Sequence, residues 1–193
     1  MLRRSLALMV VLILSLVGTG LAREVQDYSS TINNFKQSSD VAPFFDSAYG
    51  YAVFPTIGKG GLGIGASHGR GQVYVGGNVV GFTSLSDVSI GFQAGGQAYS
   101  QVVFFEDERA YKDFTSGNFE FGAEASAIAV QASAGATATS EGAAAGASSG
   151  GSGGSQASTN YYKGMLVFTI GKGGLMYEAA IKGQKYTYNP LKK

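Results

Sequence analysis

The sequence has no cysteine and no tryptophan, and only one histidine and three prolines among its 193 residues. Without cysteine the chain forms neither a disulfide framework nor a lipoprotein anchor, so packing alone must hold the fold together. A cysteine nucleophile is excluded as well. The single histidine, His68, cannot build a histidine-based zinc site without partners.

Few residues are suited to catalysis. His68 lies beside glycine in the stretch SHGR, which favours an exposed turn over a general base. The acidic run Glu106-Asp107-Glu108 favours the solvated start of a helix, where carboxylates complement the helix dipole. This run lacks the ligand spacing of a calcium-binding EF-hand loop. We therefore expect no enzyme activity, no metal and no cofactor.

Charge is nearly balanced, because 14 lysines and arginines face 13 aspartates and glutamates. A formal net charge of +1 argues against a nucleic-acid-binding protein. The charges are unevenly placed, however. Six lysines follow residue 162 against the single Glu178, whereas residues 106–141 are mainly acidic. Electrostatic attraction to a partner must therefore be local.

The first 22 residues have the order of a secretory signal peptide. Arg3 and Arg4 give a positive start, residues 6–17 are apolar apart from one serine, and Gly20-Leu21-Ala22 is a small-x-small end. The apolar stretch is too short to cross a bilayer comfortably. We expect cleavage after Ala22 and a periplasmic or secreted protein; the alternative is an uncleaved membrane anchor.

Hydrophobic periodicity predicts an α+β fold that is mainly β. Residues 23–39 carry apolar side chains at spacings of three, four and three (Val25, Tyr28, Ile32 and Phe35), which predicts an N-terminal amphipathic helix. From Gly50 onward the period changes to two, and glycines separate the β-rich segments. The predicted strands lie in residues 51–57, 62–66, 72–75, 79–85, 88–105, 119–130, 161–170 and 175–182, with a last short strand at 186–188. We expect antiparallel sheets in a sandwich or barrel-like arrangement.

Further segments complete a single domain over residues 23–193. Residues 106–115 predict one short internal helix. Residues 123–138 are ambiguous, since their alanines favour a helix whereas the preceding alternation favours a strand, which we expect. Residues 139–159 are nearly all glycine, alanine and serine, which predicts a flexible loop inside the domain.

The heptapeptide TIGKGGL occurs twice, at residues 56–62 and 169–175. It lacks the hydroxyl residue that follows the lysine of a Walker phosphate loop, and a strand-like stretch rather than a helix follows each copy. Its glycines suit the positive φ angles of a tight turn, so we expect two hairpins. Lys59 and Lys172 would then lie at the two hairpin tips.

Three glycines share one face of the strand that follows the first copy: Gly61, Gly63 and Gly65. A strand face without side chains permits close packing, a sharp curl, or contact with an extended ligand. Close packing or curling is the simpler interpretation. A groove for an acyl chain is the functional alternative.

Several blocks follow one another in the sequence: AYGYAVFP at residues 48–55, SIGFQAGGQ at 89–97 and FGAEAS at 121–126, with closing strands at 161–180. In this order they resemble the SYLF domain family, over residues 41–188. The resemblance implies a β-rich domain with helical elements that binds lipids, with phosphoinositides and other anionic phospholipids as favoured ligands. Some eukaryotic members also bind actin.

The resulting expectation is an exported, non-enzymatic domain that binds anionic phospholipids, with phosphoinositide-like or phosphatidic-acid-like head groups, at a membrane surface. The lysines expected to contact head groups are Lys59, Lys163, Lys172, Lys182 and Lys185. The residues expected to contact an acyl chain are Gly61, Gly63 and Gly65. We expect no nucleic-acid partner, and no actin contact in an exported protein. The alternative is an outer-membrane or envelope structural β-protein without a small-molecule ligand.

Export predicts a mature protein that begins at Arg23. Because the positive start, the apolar core and the small-x-small end all precede that residue, the intact mass of the native protein should equal that of residues 23–193. A native mass that retains residues 1–22 would contradict cleavage at this site.

Overall fold

The computed structural model describes residues 24–62, 64–90, 95–122, 125, 127–129, 161–172, 181 and 183–192. The predicted signal peptide and the predicted loop at 139–159 lie outside the described residues, as does most of 123–138. Within these ranges the helices are α1 (Ser29–Lys36), α2 (Phe44–Ser47) and α3 (Glu108–Phe114). The strands are β1 (Gly50–Leu62), β2 (Ile64–Val75), β3 (Asn78–Ile90), β4 (Gly95–Phe105), β5 (Phe119–Glu120), β6 (Ile128–Ala129), β7 (Met165–Lys172) and β8 (Lys185–Pro190).

The described strands form one sheet, in the order β5-β8-β3-β2-β1-β4-β7-β6. Neighbouring strands are antiparallel, except that the two-residue β6 lies parallel to β7. Strands β1, β2 and β3 follow one another across the sheet, and β4 lies on the other side of β1, which is the strand order of a Greek key. The prediction of a mainly β, antiparallel fold is therefore confirmed for this part of the chain.

The sheet is strongly curled. Strands β8 and β4 are four strand spacings apart, which would be about 19 Å in a flat sheet. Yet Gln101 Nε2 on β4 donates a hydrogen bond to the Tyr186 hydroxyl on β8 at 2.7 Å. The rings of Phe54 on β1 and Tyr186 are also only 5.7 Å apart. Only a curled sheet brings these side chains together. Of the two expected arrangements, the described strands therefore form the barrel-like one and not the two-sheet sandwich.

A buried polar cluster, formed by Tyr99, Gln101, Gln184 and Tyr186, spans the inside of the curl. The Tyr186 hydroxyl donates to Gln184 Oε1 at 2.6 Å, and Gln184 Nε2 donates to the Tyr99 hydroxyl at 3.0 Å. Burial raises the pKa of Tyr186 well above its usual value, although the hydrogen bond from Gln101 acts in the opposite direction. The cluster thus stays neutral and links β4 to β8 through hydrogen bonds.

The two faces of the sheet bury different sets of side chains, because successive residues of a strand point to opposite sides. The inner face is the concave one, on which the cluster lies, and it carries a core that includes Phe54, Val103, Phe105, Val167 and Tyr186. Helix α3 adds Ala110 and Phe114 to this core. The outer face is the convex one, and helices α1 and α2 cover part of it with Phe35, Phe44 and Phe45 against Phe104 and Phe168.

Hydrogen bonds to aspartate side chains mark the starts of helices α1 and α3. Helix α3 confirms the short internal helix, and it begins after Asp107, whose Oδ1 accepts a hydrogen bond from the Ala110 amide at 2.8 Å. Helix α1 occupies only part of the predicted span 23–39, because residues 24–28 are not helical. Just before it, Asp27 Oδ1 accepts from the Ser29 amide at 2.8 Å, which is a turn-forming contact. The same hydrogen bond lowers the pKa of Asp27.

The first copy of the heptapeptide is not the hairpin turn. Lys59 pairs with Ser67 on β2 and with Gln97 on β4, and the ladder continues through the pair of Leu62 and Ile64. The prediction of a turn at residues 58–60 is therefore wrong, because hydrogen bonding on both sides of β1 outweighs the turn preference of the glycines. In the second copy, residues 169–172 belong to β7, and residues 173–175 lie outside the described part.

One edge of the sheet, which we call the hairpin rim, is where β1, β3 and β7 end and where β2, β4 and β8 begin. It is defined by Leu62, Ile64, Ile90, Gly95, Lys172 and Lys185. Helix α3 follows β4 and therefore lies at the opposite edge. This arrangement leaves the hairpin rim free of the three described helices.

Removing the Tyr186 hydroxyl tests the role of the polar cluster. Tyr186→Phe should lower the free energy of unfolding by about 1–3 kcal/mol, because buried Gln101 and Gln184 each lose a hydrogen-bond partner. Denaturant unfolding measures this change. Tyr162→Phe, which removes a half-buried hydroxyl outside the cluster, is the control. Equal losses in the two variants would contradict a special role for the cluster.

Candidate functional site

The outer face has a covered half and an open half. Helices α1 and α2 cover the half near the start of β1, whereas the half near the hairpin rim, which we call the open outer face, is uncovered by them. Directly paired residues project to the same side of a sheet, so the open outer face consists of three rows. The first row is Thr187, Ser84, Arg70 and Thr56; the second is Lys185, Ser86, His68, Gly58, Ala98 and Lys172; the third, nearest the rim, is Val88, Ala66 and Gly60.

Cations and hydroxyl groups dominate the first two rows. Lys172 Nζ donates to Thr56 Oγ1 at 2.7 Å, and Lys185 Nζ lies 3.6 Å from Glu120 Oε2. Among the described residues, no ion pair involves Arg70 or Lys172. Their positive charges therefore remain available to an anion at the surface.

An open cleft of about 500 Å³ lies on this face beside the start of the described chain. Its walls are Gln26, Tyr28, Pro55, Thr56, Gly58, His68, Gly69 and Arg70. The wall formed by Gln26 and Tyr28 is held to the sheet by buried Gln72, whose Nε2 donates to the Gln26 carbonyl at 2.8 Å. Because Lys172 is hydrogen-bonded to Thr56, the cleft combines a guanidinium, a nearby ammonium and a hydroxyl group.

The structure brings two of the five predicted lysines to the open outer face. Lys172 and Lys185 lie in the same row, on β7 and β8. Lys163 lies at the opposite edge, in the turn before β7, where its Nζ is 5.6 Å from the centre of the Tyr162 ring. Lys182 is outside the described residues.

Lys59, the fifth predicted lysine, lies on the inner face. It pairs with Ser67, which in turn pairs with Asp87 on β3, so the three side chains share one row. Burial raises the pKa of Asp87, and the charge of Lys59 partly offsets this effect. Lys59 is thus electrostatically coupled to a carboxylate and is separated from Lys172 by the thickness of the sheet.

Two of the predicted glycines, Gly61 and Gly65, also lie on the inner face. Gly61 pairs directly with Gly65 on β2 and with Gly95 on β4, so this row has no side chains on these three strands; on β3 it continues with Ser89. Gly63 is outside the described residues. The cationic rows and the glycine row therefore belong to opposite faces. Of the predicted lysines, Lys59 shares the inner face with the glycines, whereas Lys172 and Lys185 do not.

Arg70 is the residue that sequence reasoning missed. The stretch around His68 and Arg70 was expected to be a turn, but both residues belong to strand β2 and are exposed. The available signal was the period of two: glycines at 65, 69 and 71 alternate with larger residues at 66, 68 and 70. Alternation of this kind indicates a strand with one face kept small.

Two further features of the described residues bear on the type of site. No three His, Asp or Glu side chains in these ranges are grouped in a way that would hold a metal ion. None of the helices in the same ranges combines the length and the hydropathy that crossing a membrane requires.

Comparison with known proteins gives the family. The model of the Ysc84 family, described as "Las17-binding protein actin regulator", matches residues 86–189. Beta cell expansion factor A of Aeromonas veronii is 30% identical over 160 residues, which is 82% of this chain and 52% of that protein. The chain thus spans about half the length of this relative. The match over more than half of the chain confirms the resemblance seen in the sequence blocks: the chain belongs to the Ysc84 (SYLF) family.

Proposed function

We propose that this protein is an exported, non-enzymatic domain that binds anionic phospholipids at a membrane surface through its open outer face. Family membership supports a lipid-binding domain in general. The observation that carries the more specific proposal is the set of exposed cations, Arg70, Lys172 and Lys185, on a sheet face that the described helices leave open.

The cleft is the proposed position of a head-group phosphate. Arg70 can donate two parallel hydrogen bonds to phosphate oxygens, which a planar guanidinium does better than an ammonium. Lys172 keeps further donors after its contact with Thr56, and the Thr56 hydroxyl adds a polar neighbour. Arg70 and Lys172 form no ion pair with a carboxylate in the described part of the chain, so this site favours a negatively charged ligand.

The proposal assigns no catalytic step to the protein. His68 is exposed on the open outer face and directly opposite Gly58 and Ser86, which supply no carboxylate to orient an imidazole base. We also propose that residues 1–22 direct export, which would separate the protein from actin. Actin contact is therefore not part of the proposed function, although the family description names an actin regulator.

Neutralising two cations of the open outer face tests the proposal. Arg70→Gln/Lys172→Gln should weaken binding to vesicles of phosphatidylcholine and phosphatidic acid by about thirtyfold, since each cation near an anionic surface contributes about 1 kcal/mol. Vesicle flotation measures the affinity, and added salt should weaken wild-type binding.

The matched control is Lys163→Gln/Lys192→Gln, which changes the net charge equally at exposed positions away from the hairpin rim. It should leave binding nearly unchanged. Lys163 belongs to the set expected from the sequence, so an equal loss in both double variants would contradict the assignment to the open outer face. If the wild-type protein does not bind anionic vesicles, the proposed function itself is wrong and a structural role is favoured.

A further inference from the structure

The third row of the open outer face differs from the two cationic rows. It consists of Val88, Ala66 and Gly60, which pair across β3, β2 and β1 and lack hydrogen-bonding side chains. Val88 is 74% exposed, and the next most exposed large hydrophobic residue among those described, Val25, is 45% exposed. A single exposed valine is ordinary on a protein surface and does not by itself indicate a contact site. The position of Val88 relative to the cations is therefore the relevant observation.

The three rows form a gradient from apolar to cationic, starting at the hairpin rim. Residues two apart on a strand are about 7 Å apart, so the row of Lys185 and Lys172 lies about 7 Å from Val88 and the row of Arg70 about 13 Å. On the open outer face Glu120 is paired with Lys185, and Asp27 lies between the cleft residues Gln26 and Tyr28. Asp87, next to Val88 in sequence, projects to the inner face beside Lys59.

The spacing of this gradient matches the depth profile of a bilayer surface. Apolar groups of surface-bound segments enter the boundary between head groups and acyl chains by about 5–10 Å. The head-group layer beyond that boundary is about 5–7 Å thick on each side of a bilayer. With Val88 about 5 Å below the boundary, the Lys185 and Lys172 row lies within the head-group layer. Arg70 then lies at its outer limit, where a long side chain can still reach phosphate.

The curl of the sheet decides between two ways of docking. Lys172 and Lys185 are five strand spacings apart, or about 24 Å along the sheet, on a convex surface. A convex face laid flat on a membrane would touch it only through the middle strands. Docking on the hairpin rim instead brings the ends of all the long strands, and both lysines, to the membrane together.

We propose that the hairpin-rim edge of the open outer face, centred on Val88, enters the interfacial layer of an anionic bilayer, while Lys172, Lys185 and Arg70 remain among the head groups. This inference rests on the proposed function and specifies its geometry. It makes Val88 a membrane-contacting residue and places helix α3, at the opposite edge of the sheet, away from the lipid.

The lack of tryptophan in the chain allows a direct test. Val88→Trp introduces a single tryptophan at an exposed position, and Asn78→Trp introduces one at the opposite end of the same strand, about 33 Å away. Both variants are mixed with vesicles of phosphatidylcholine and phosphatidic acid whose acyl chains carry bromine near the head groups. Tryptophan at position 88 should shift its emission to shorter wavelength and be quenched, and tryptophan at position 78 should do neither.

The outcomes separate this inference from the proposed function. If both variants float with vesicles and the tryptophan at 88 keeps the emission of a water-exposed ring, rim insertion is wrong and surface binding survives. If neither variant floats with vesicles, both proposals are wrong. Thermal unfolding establishes that both variants are folded.

A charge at the same position gives a second measurement. Val88→Asp should weaken vesicle binding by about fivefold or more, because it places a carboxylate among anionic head groups. Asn78→Asp carries the same charge change far from the rim, beyond about three screening lengths at physiological salt, and should bind as wild type does. Wild-type affinity in Val88→Asp would overturn the inference.

Discussion

The hydrogen-bonded cluster of Tyr99, Gln101, Gln184 and Tyr186 is the constraint on which the rest of the arrangement depends. Buried hydroxyl and amide groups are costly unless they find partners, so β8 must approach β4 across the concave side of the sheet. That approach requires the curl. The curl makes the outer face convex, and two short helices can cover only one end of a convex sheet of long strands. An uncovered face next to the hairpin rim is the consequence.

Small residues on the inner face permit the curl. A Cβ atom at Gly71 would lie 2.6 Å from the Val53 carbonyl oxygen and 2.8 Å from the Phe54 ring, and one at Gly69 would lie 2.5 Å from the Ile57 side chain. At Gly58, on the open outer face, a Cβ atom would meet nothing within 4 Å. Glycine therefore serves a different purpose on each face. On the inner face it permits close packing, and on the outer face it leaves the floor of the cleft unobstructed.

The mainly β fold and helix α3 were predictable because they depend on local pattern: a period of two, and acidic residues at the start of a helix. The full lengths of β1 and β2 were not, because the glycines near Lys59 and His68 suggested turns. The side on which Lys59 lies was not predictable, because a shift of the hairpin turn by one residue moves every side chain of the strand to the other face. Register is set by pairing with two neighbours, β2 and β4, that are distant in sequence. The approach of Lys172 to Thr56 likewise depends on strand order, which periodicity does not encode.

Charge placement along the strands explains how a nearly neutral chain can present a cationic surface. The acidic residues of helix α3 follow Phe105, whereas Lys172 pairs with Ala98, seven residues away on β4, or about 24 Å. Charges at that distance are about three screening lengths apart at physiological salt. The carboxylates of the helix therefore weaken the field of Lys172 only slightly. Lys163, by contrast, lies next to Gly164, whose carbonyl accepts a hydrogen bond from the Glu106 amide at 2.8 Å, so its charge belongs to the acidic end of the molecule.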